Sequence, residues 1–335
     1  MLSHSLGDLM QANLLSRRTA NVSTNLARLA DEIASGKRQD LQSHVRGDFT
    51  LLAGLERDIA LGAALQDSNA AAGRFAAAQQ SALDIVADSV ATLGPDFAKA
   101  ASSGSAHHLA TAFEAGESAL AQTISALNVR MDGKAVFAGA DTGGNALENA
   151  ETLIAALKVE LTGATDAADA MNRADTWFGS DTGFGNMLLF DKDVRMAEMD
   201  IGATATEKFT LTAGDSALRD TLKAQAVAAV MGRGLFSGDA QAQADLLGAA
   251  SDKLLNVVDD ISVLRADIGY REQRIETERV RNEARGVALE TARAAIRDAD
   301  PYEAAIELRQ AETQLSALFQ ITARLSNLSL VSVLR

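Results

Sequence analysis

The chain has 335 residues, a formal net charge of −14, 47% hydrophobic but only 4% aromatic residues, two prolines and no cysteine. That length leaves room for a sizeable core and about two to three domains, and abundant Ala, Leu, Glu, Arg and Gln favour long helices over a large β-sheet core. The acidic balance argues against a nucleic-acid groove or a basic membrane-surface helix, and the absence of cysteine excludes disulfides, thiolate catalysis and Cys-ligated zinc.

Met1 to Arg18 mixes Ser3, His4, Asp8, Gln11 and Asn13 with its apolar positions, so no classical secretory signal is expected, and no apolar run approaches a membrane span. The chain reads as soluble, leaving the cell, if it does, without a cleaved signal. Leu2, Leu6 and Leu9, then Val22, Leu26, Leu29 and Ile33, recur at alternating spacings of four and three, the seam of a helix that packs on another helix. This helix is predicted to stop near Ser35-Gly36, where glycine suits a helix end and Lys37-Arg38 complements the dipole.

A second helical run is predicted from about Gly47 to Leu93, ended by Gly94-Pro95, and a third from about Ala106 to Met131. Asp132-Gly133-Lys134 is a turn signal, and Ala135 to Gly139 reads as a strand or extended segment. From Asp141 to about Asp215 the glycines cluster, Trp177 appears, and Met187–Phe190 and Lys208–Thr212 lean towards strand, so this stretch reads as a small α+β insertion. Helix resumes after Asp215.

The longest pattern, about Leu246 to Arg297, places Ile261, Ile268, Ile275, Asn282, Leu289 and Ile296 at seven-residue intervals. Such a helix would span roughly 75 Å at 1.5 Å per residue, which is rod geometry. Its charges alternate in sign from Arg271 to Arg285, which reads as a solvated coiled-coil face rather than a ligand site. The last stretch opens with Asp300-Pro301-Tyr302-Glu303, a helix cap, a proline at the first helical position and a capping-box acid. Ala311, Leu315, Leu318, Thr322 and Leu325 then form a narrow seam, widened by Ile321, Leu328, Leu330, Val331, Val333 and Leu334. A terminus this apolar must dock on its own chain or on a neighbour, and burying both terminal seams against each other is the simplest solution.

The expected fold is therefore mainly α: long antiparallel helices forming a coiled-coil rod from both chain ends, with a small α+β insertion in the middle. Expected boundaries are an N-terminal coiled-coil helix at 1–40 pairing with 298–335, a rod domain in two halves at 41–140 and 215–297, and the insertion at 141–214.

No enzyme is expected. Asp141-Thr142-Gly143 and Asp181-Thr182-Gly183 share the triplet of aspartic proteases, but they lie about 40 residues apart in a glycine-rich stretch rather than in two β-rich lobes, so ordinary turns are the better reading. His107 and His108 are adjacent, not at the i, i+4 spacing of a helical metal pair, and no metalloprotease, phosphate-loop or serine-hydrolase motif occurs. No catalytic residue, cofactor or metal site is expected.

Asn25-Leu26-Ala27-Arg28-Leu29 through Ile33-Ala34-Ser35-Gly36-Lys37-Arg38 resembles the end of the N-terminal helix of the flagellin superfamily. Ile296-Arg297-Asp298-Ala299-Asp300, with Glu303, Leu308, Gln314-Leu315 and the closing Leu328 to Leu334, resembles its C-terminal helix. Gly133-Lys134-Ala135-Val136-Phe137-Ala138-Gly139 is similar to the Phe-x-Gly element of the superfamily's hook-filament junction branch, which favours that branch over filament flagellins. After Arg38 the sequence departs from the family, with Gln39-Asp40-Leu41-Gln42-Ser43-His44 where an Asn and an acidic pair are usual.

The resemblance implies a structural subunit of the bacterial flagellum, outside the cell, exported unfolded through the flagellar secretion channel. It further implies a junction adaptor whose terminal helices order on assembly. Implied partners are flagellin, another hook-associated protein, further copies of the chain and an export chaperone at the C-terminal helix, with no nucleic acid and no membrane insertion. The packing residues would be Leu6, Leu9, Val22, Leu26, Leu29 and Ile33 with Leu315, Leu318, Ile321, Leu325, Leu328 and Leu334. A filament-forming flagellin and a non-flagellar helical scaffold are the alternatives.

Overall fold

The computed structural model describes residues 2–139, 143–190 and 197–333, and side chains within 10–139, 143–190 and 197–325. The described chain runs α1 (Leu2–Ser35), α2 (Leu41–His44), α3 (Thr50–Ser103), α4 (Ala106–Leu127), β1 (Arg130–Met131), β2 (Lys134–Ala135), α5 (Ala150–Leu161), α6 (Ala167–Gly179), a 3-10 turn (Phe184–Met187), β3 (Ala197–Asp200), β4 (Thr206–Phe209), α7 (Ser216–Gly232), α8 (Ala240–Arg297) and α9 (Pro301–Val333). The fold is mainly α, as expected, with two antiparallel two-stranded hairpins, β1–β2 and β3–β4, among the described residues. It divides into two units, residues 63–284 and residues 1–62 with 285–335, and α3 and α8 contribute to both.

Unit 63–284 is built on the antiparallel pairing of α3 with α8. On α3, Asn69, Ala72, Ala76, Gln79, Leu83, Val86, Val90, Leu93 and Phe97 are all buried at alternating three- and four-residue spacings. On α8, Leu254, Val257, Ile261, Ile268, Ile275 and Asn282 answer them, the knobs-into-holes arrangement that a sustained heptad produces. Asp84 pairs with Arg265 at 2.6 Å and the Asn69 amide donates to the Ile275 carbonyl at 3.0 Å, which fixes the antiparallel direction.

The second layer centres on α7, capped by Asp215, whose carboxylate accepts from the Ala217 N–H at 3.1 Å. Every residue from Thr221 to Met231 is buried, so α7 is a core helix wrapped on all sides rather than an amphipathic one. Its closest neighbour is α4, and Gly116 is what lets them approach: a Cβ there would lie 2.6 Å from the Ala228 Cβ and 3.4 Å from the Gln225 carbonyl oxygen. The Gln225 amide donates to Ser89 at 2.9 Å and Thr123 at 3.1 Å, tying α7 to α3 and α4.

Lys223 is the charged exception in this core. Its ammonium lies 2.5 Å from Asp175 of α6 and 2.6 Å from Asp220, and Lys253 of α8 approaches Asp175 at 3.2 Å. Burial pushes the Lys223 ammonium down, but the two carboxylates outweigh it and hold it above the usual lysine value. Burial likewise pushes the Asp175 carboxyl up, and Lys223 with Lys253 reverses the effect and holds it low. A buried charge is tolerated here because it is paired.

Three expectations about local structure are corrected. Pro95 does not end a helix: α3 continues to Ser103 with Pro95 inside it. Gly94 lacks the Cβ that a following proline ring would crowd, its missing side chain admits Leu255 of α8, and its carbonyl accepts from the buried Ser251 hydroxyl at 2.7 Å. Of the segment Ala135–Gly139 only Ala135 belongs to a strand, β2, although Ala135 to Ala138 are all buried. Met187–Phe190 is not a strand; Met187 ends the 3-10 turn, and Leu188 makes a single bridge to Leu147.

Gly116→Ala would overpack the α4–α7 contact and cost about 1–3 kcal/mol. Urea unfolding monitored by circular dichroism should show a lower midpoint, whereas an unchanged midpoint would mean that the two helices do not meet this closely.

Candidate assembly interface

Unit 1–62 with 285–335 holds the two terminal helices, α1 and α9, paired antiparallel. The end of α1 is set by Gly36, in the left-handed region at φ +68°, whose N–H donates to the Glu32 carbonyl at 2.8 Å. Beyond it the chain pairs with the α8–α9 junction. The Arg38 N–H donates to the Arg297 carbonyl at 2.9 Å, the Ala299 N–H donates to the Gly36 carbonyl at 3.0 Å, and Lys37 bridges Asp298. Asp300 caps α9, accepting from the N–H groups of Tyr302 at 2.8 Å and Glu303 at 3.3 Å. The Glu303 carboxylate lies 3.6 Å from Arg38, so it faces the end of α1.

Glu32 locks this turn from inside. It is 6% exposed and its carboxylate accepts from the Arg28 guanidinium at 2.7 Å and the Gln39 N–H at 2.9 Å. Burial pushes the carboxyl up, but the Gln39 N–H and Arg28 together outweigh it and hold it below its usual range. Gln39 thus supplies a backbone donor to the lock.

Of the predicted packing residues, Leu29 is fully buried, Val22, Leu26, Leu315, Leu318 and Leu325 are half-buried, and Ile33 and Ile321 are 38% and 47% exposed. The side chains of Leu6, Leu9 and Leu328, and all of Leu334, lie outside the described residues. The seam extends further than predicted, to Leu15 and Thr19 on α1 and to buried Ala304 and half-buried Leu308 on α9. Leu15 and Leu308 were readable, since both continue the four-and-three spacing. Glu32 was not: nothing local distinguishes a carboxylate that turns inward to cap a chain reversal from one that faces water.

One side of each terminal helix is covered and much of the rest is not. Met10, Leu14, Tyr302, Ile306, Phe319 and Ile321 are between 43% and 77% exposed, more large apolar surface than scattered chance placement leaves on one small unit. The charge distribution matches. Residues 1–62 with 285–335 carry 13 basic and 13 acidic residues, a net charge of zero, whereas residues 63–284 carry 18 basic and 32 acidic and hold the entire −14.

Among the described residues no group of three His, Asp or Glu could hold a metal ion, and no helix is long and apolar enough to cross a membrane. His107 and His108 are exposed on α4. Asp181-Thr182-Gly183 lies in the turn after α6, while Asp141 and Thr142 fall outside the described residues.

Residues 252–334 match the sequence model of the bacterial flagellin C-terminal helical region. That part of the chain is flagellin-like. No curated protein matches the sequence. Among solved structures, a candidate flagellar hook-associated protein from Vibrio parahaemolyticus superposes with a TM-score of 0.50 at 15% identity, covering 75% of this chain and 99% of that one. At that identity the likeness establishes a shared fold alone.

Glu32→Gln should loosen the lock at the end of α1 by about 1–2 kcal/mol at neutral pH, the cost of a charge-assisted buried hydrogen bond. Because the folded carboxyl titrates below its unfolded value, this stability is present above about pH 4.3 and fades as the pH falls through the lower folded value. The difference between wild type and variant in urea unfolding should therefore shrink in acid; a difference independent of pH would assign the effect to shape rather than charge.

Proposed function

We propose that this chain is a structural subunit of the bacterial flagellum, an adaptor at the junction of hook and filament that assembles through α1 and α9. The observation that carries the reading is the terminal helix pair itself. It has a narrow apolar seam, a neutral surface, and exposed Phe319 and Ile321 on the helix that lies within the flagellin-type region. Two helices joined along one seam bury too little to be self-sufficient, and an assembly that covers their other faces supplies what is missing. The solved protein of the same fold is described as hook-associated, which favours the adaptor over a filament subunit.

The partners in this reading are the neighbouring axial proteins, flagellin on one side and another hook-associated protein on the other, together with further copies of the chain. An export chaperone would cover the C-terminal helix before assembly, and the subunit would travel unfolded and function outside the cell. No step is enzymatic. The second reading, a flagellin that forms the filament itself, is favoured by the family match, which is to a flagellin region.

The two readings separate in a seeding experiment: purified chain is mixed with flagellar fragments in a salting-out buffer, sedimented and imaged by electron microscopy. The adaptor is expected to remain soluble or to add a short cap to the seeds, whereas long regular filaments would establish the flagellin. Leu318→Asp places a charge on the half-buried α9 seam, an unpaired burial costing several kcal/mol in an assembled state. Incorporation into flagella should be abolished while unit 63–284 stays folded. Normal assembly of this variant in motile cells would remove the α9 seam from the docking role.

A further inference from the structure

Unit 63–284 contains a polar layer that neither assembly nor core packing explains. The α3 and α8 seams are apolar through most of their length and then turn polar at Asn69, 1% exposed, and Asn282, 8% exposed. Both side chains reach the same acceptor, the Ile201 carbonyl in the turn between β3 and β4: the Asn69 amide donates to it at 3.1 Å and the Asn282 amide at 2.8 Å. Asn69 also donates to the Ile275 carbonyl at 3.0 Å, so a single amide joins α3, α8 and the hairpin.

A second anchor holds β4. Glu207 on β4 is 1% exposed, and its two carboxylate oxygens lie 3.1 Å from the guanidinium groups of Arg271 and Arg274 on α8. Arg271 also donates to the Lys208 carbonyl and, at 3.1 Å, to the Thr210 hydroxyl. Arg271 is a seam position, and its side chain is only 14% exposed. The expectation of a solvated charge face is therefore corrected at this residue: the surrounding charges are largely exposed, but Arg271 is directed into the hairpin. A third contact is steric. Gly202 sits against Glu278, whose carboxylate oxygen lies 2.7 Å from where a Cβ would be.

Heptad seams leave two helices free to separate or slip wherever the seam loses its apolar residues, and a buried polar side chain there costs stability unless it is satisfied. Without the hairpin, the Asn282 amide would lose the Ile201 carbonyl, the Asn69 amide would keep only the Ile275 carbonyl, and Arg271 would lose Glu207. We propose that the β3–β4 hairpin is a clip that holds α3 and α8 together in register at the end of unit 63–284 where both helices leave it. The clip works through the Ile201 carbonyl and the Glu207 carboxylate. The opposite end of the pair needs no clip, because Leu83, Val86, Val90 and Leu93 face an apolar α8 there and Ser251 is satisfied by the Gly94 carbonyl.

The cysteine-free chain permits a direct test by disulfide cross-linking in the full-length protein. Ala70→Cys with Arg279→Cys reports on the clipped end, and Asp84→Cys with Arg265→Cys, displaced by two heptads on each helix, reports on the apolar end. Glu207→Ala removes an anchor without altering either seam. Amides of Glu207 to Phe209 should then exchange about tenfold faster, the effect of losing one buried charge-assisted hydrogen bond. Cross-linking of the 70–279 pair should fall by a similar factor while the 84–265 pair is unchanged, and adding Asn282→Leu, which restores an apolar seam, should recover it. The proposal is overturned if the hairpin loosens while 70–279 cross-linking persists. It is equally overturned if hairpin exchange is unaffected by Glu207→Ala, or if both pairs fall together.

Discussion

The heptad is the constraint on which the rest of this structure depends. Asn69 to Phe97 on α3 and Leu254 to Asn282 on α8 keep one buried line per helix for some thirty residues, at the three-and-four spacing that keeps facing side chains in contact. Small residues, Ala72 and Ala76, give way to Leu83, Val86 and Phe97 along that line, so the helices close up without a large aromatic core. A low aromatic content is compatible with a well-packed interior only because the elements are long and the contacts repeat.

The two units use the same repeat to different ends. In residues 63–284 the seam is one side of a core that also includes α4, α5, α6 and α7, and α7 is buried all round. In the terminal unit the seam is nearly all there is, and most other faces of α1 and α9 meet solvent. Charge follows this division. The unit with the larger core carries the whole net charge of −14, which keeps a folded body soluble and opposes close approach between copies. The neutral terminal unit offers no such repulsion, so contacts between chains are electrostatically easiest there.

The long helices, their heptads and their caps were readable because they follow from local rules. Asp215 and Asp300 cap as their positions suggest, Gly36 ends α1, and Ile261, Ile268, Ile275 and Asn282 are buried on one line. Part of what escaped was decided by partners far along the chain. Pro95 stays helical because Ser251 and Leu255, about 160 residues away, stabilise the turn that contains it. Arg271 looks like its exposed neighbours in sequence and differs only because Glu207 meets it. The seam residues of the candidate interface were legible as a pattern, but the Glu32 lock was not, since its partners are the backbone of a turn and a neighbouring arginine rather than a periodic row.

The terminal pair shows how little a thin seam leaves two long helices to stand on. An isolated helix pays a nucleation cost and conformational entropy for each residue it fixes, and among the described side chains of α1 only Leu29 and Glu32 are buried outright. The contacts that hold its end, Gly36 to Ala299 and Arg38 to Arg297, are backbone bonds at one turn, which set direction without adding much buried apolar surface. Burying more side chains within the pair would stabilise it alone, but would also remove Phe319, Ile321 and Leu14 from the surface where a neighbour could cover them. A seam just wide enough to fix the antiparallel register, with apolar side chains left outward, makes the remaining stabilisation conditional on a neighbouring chain.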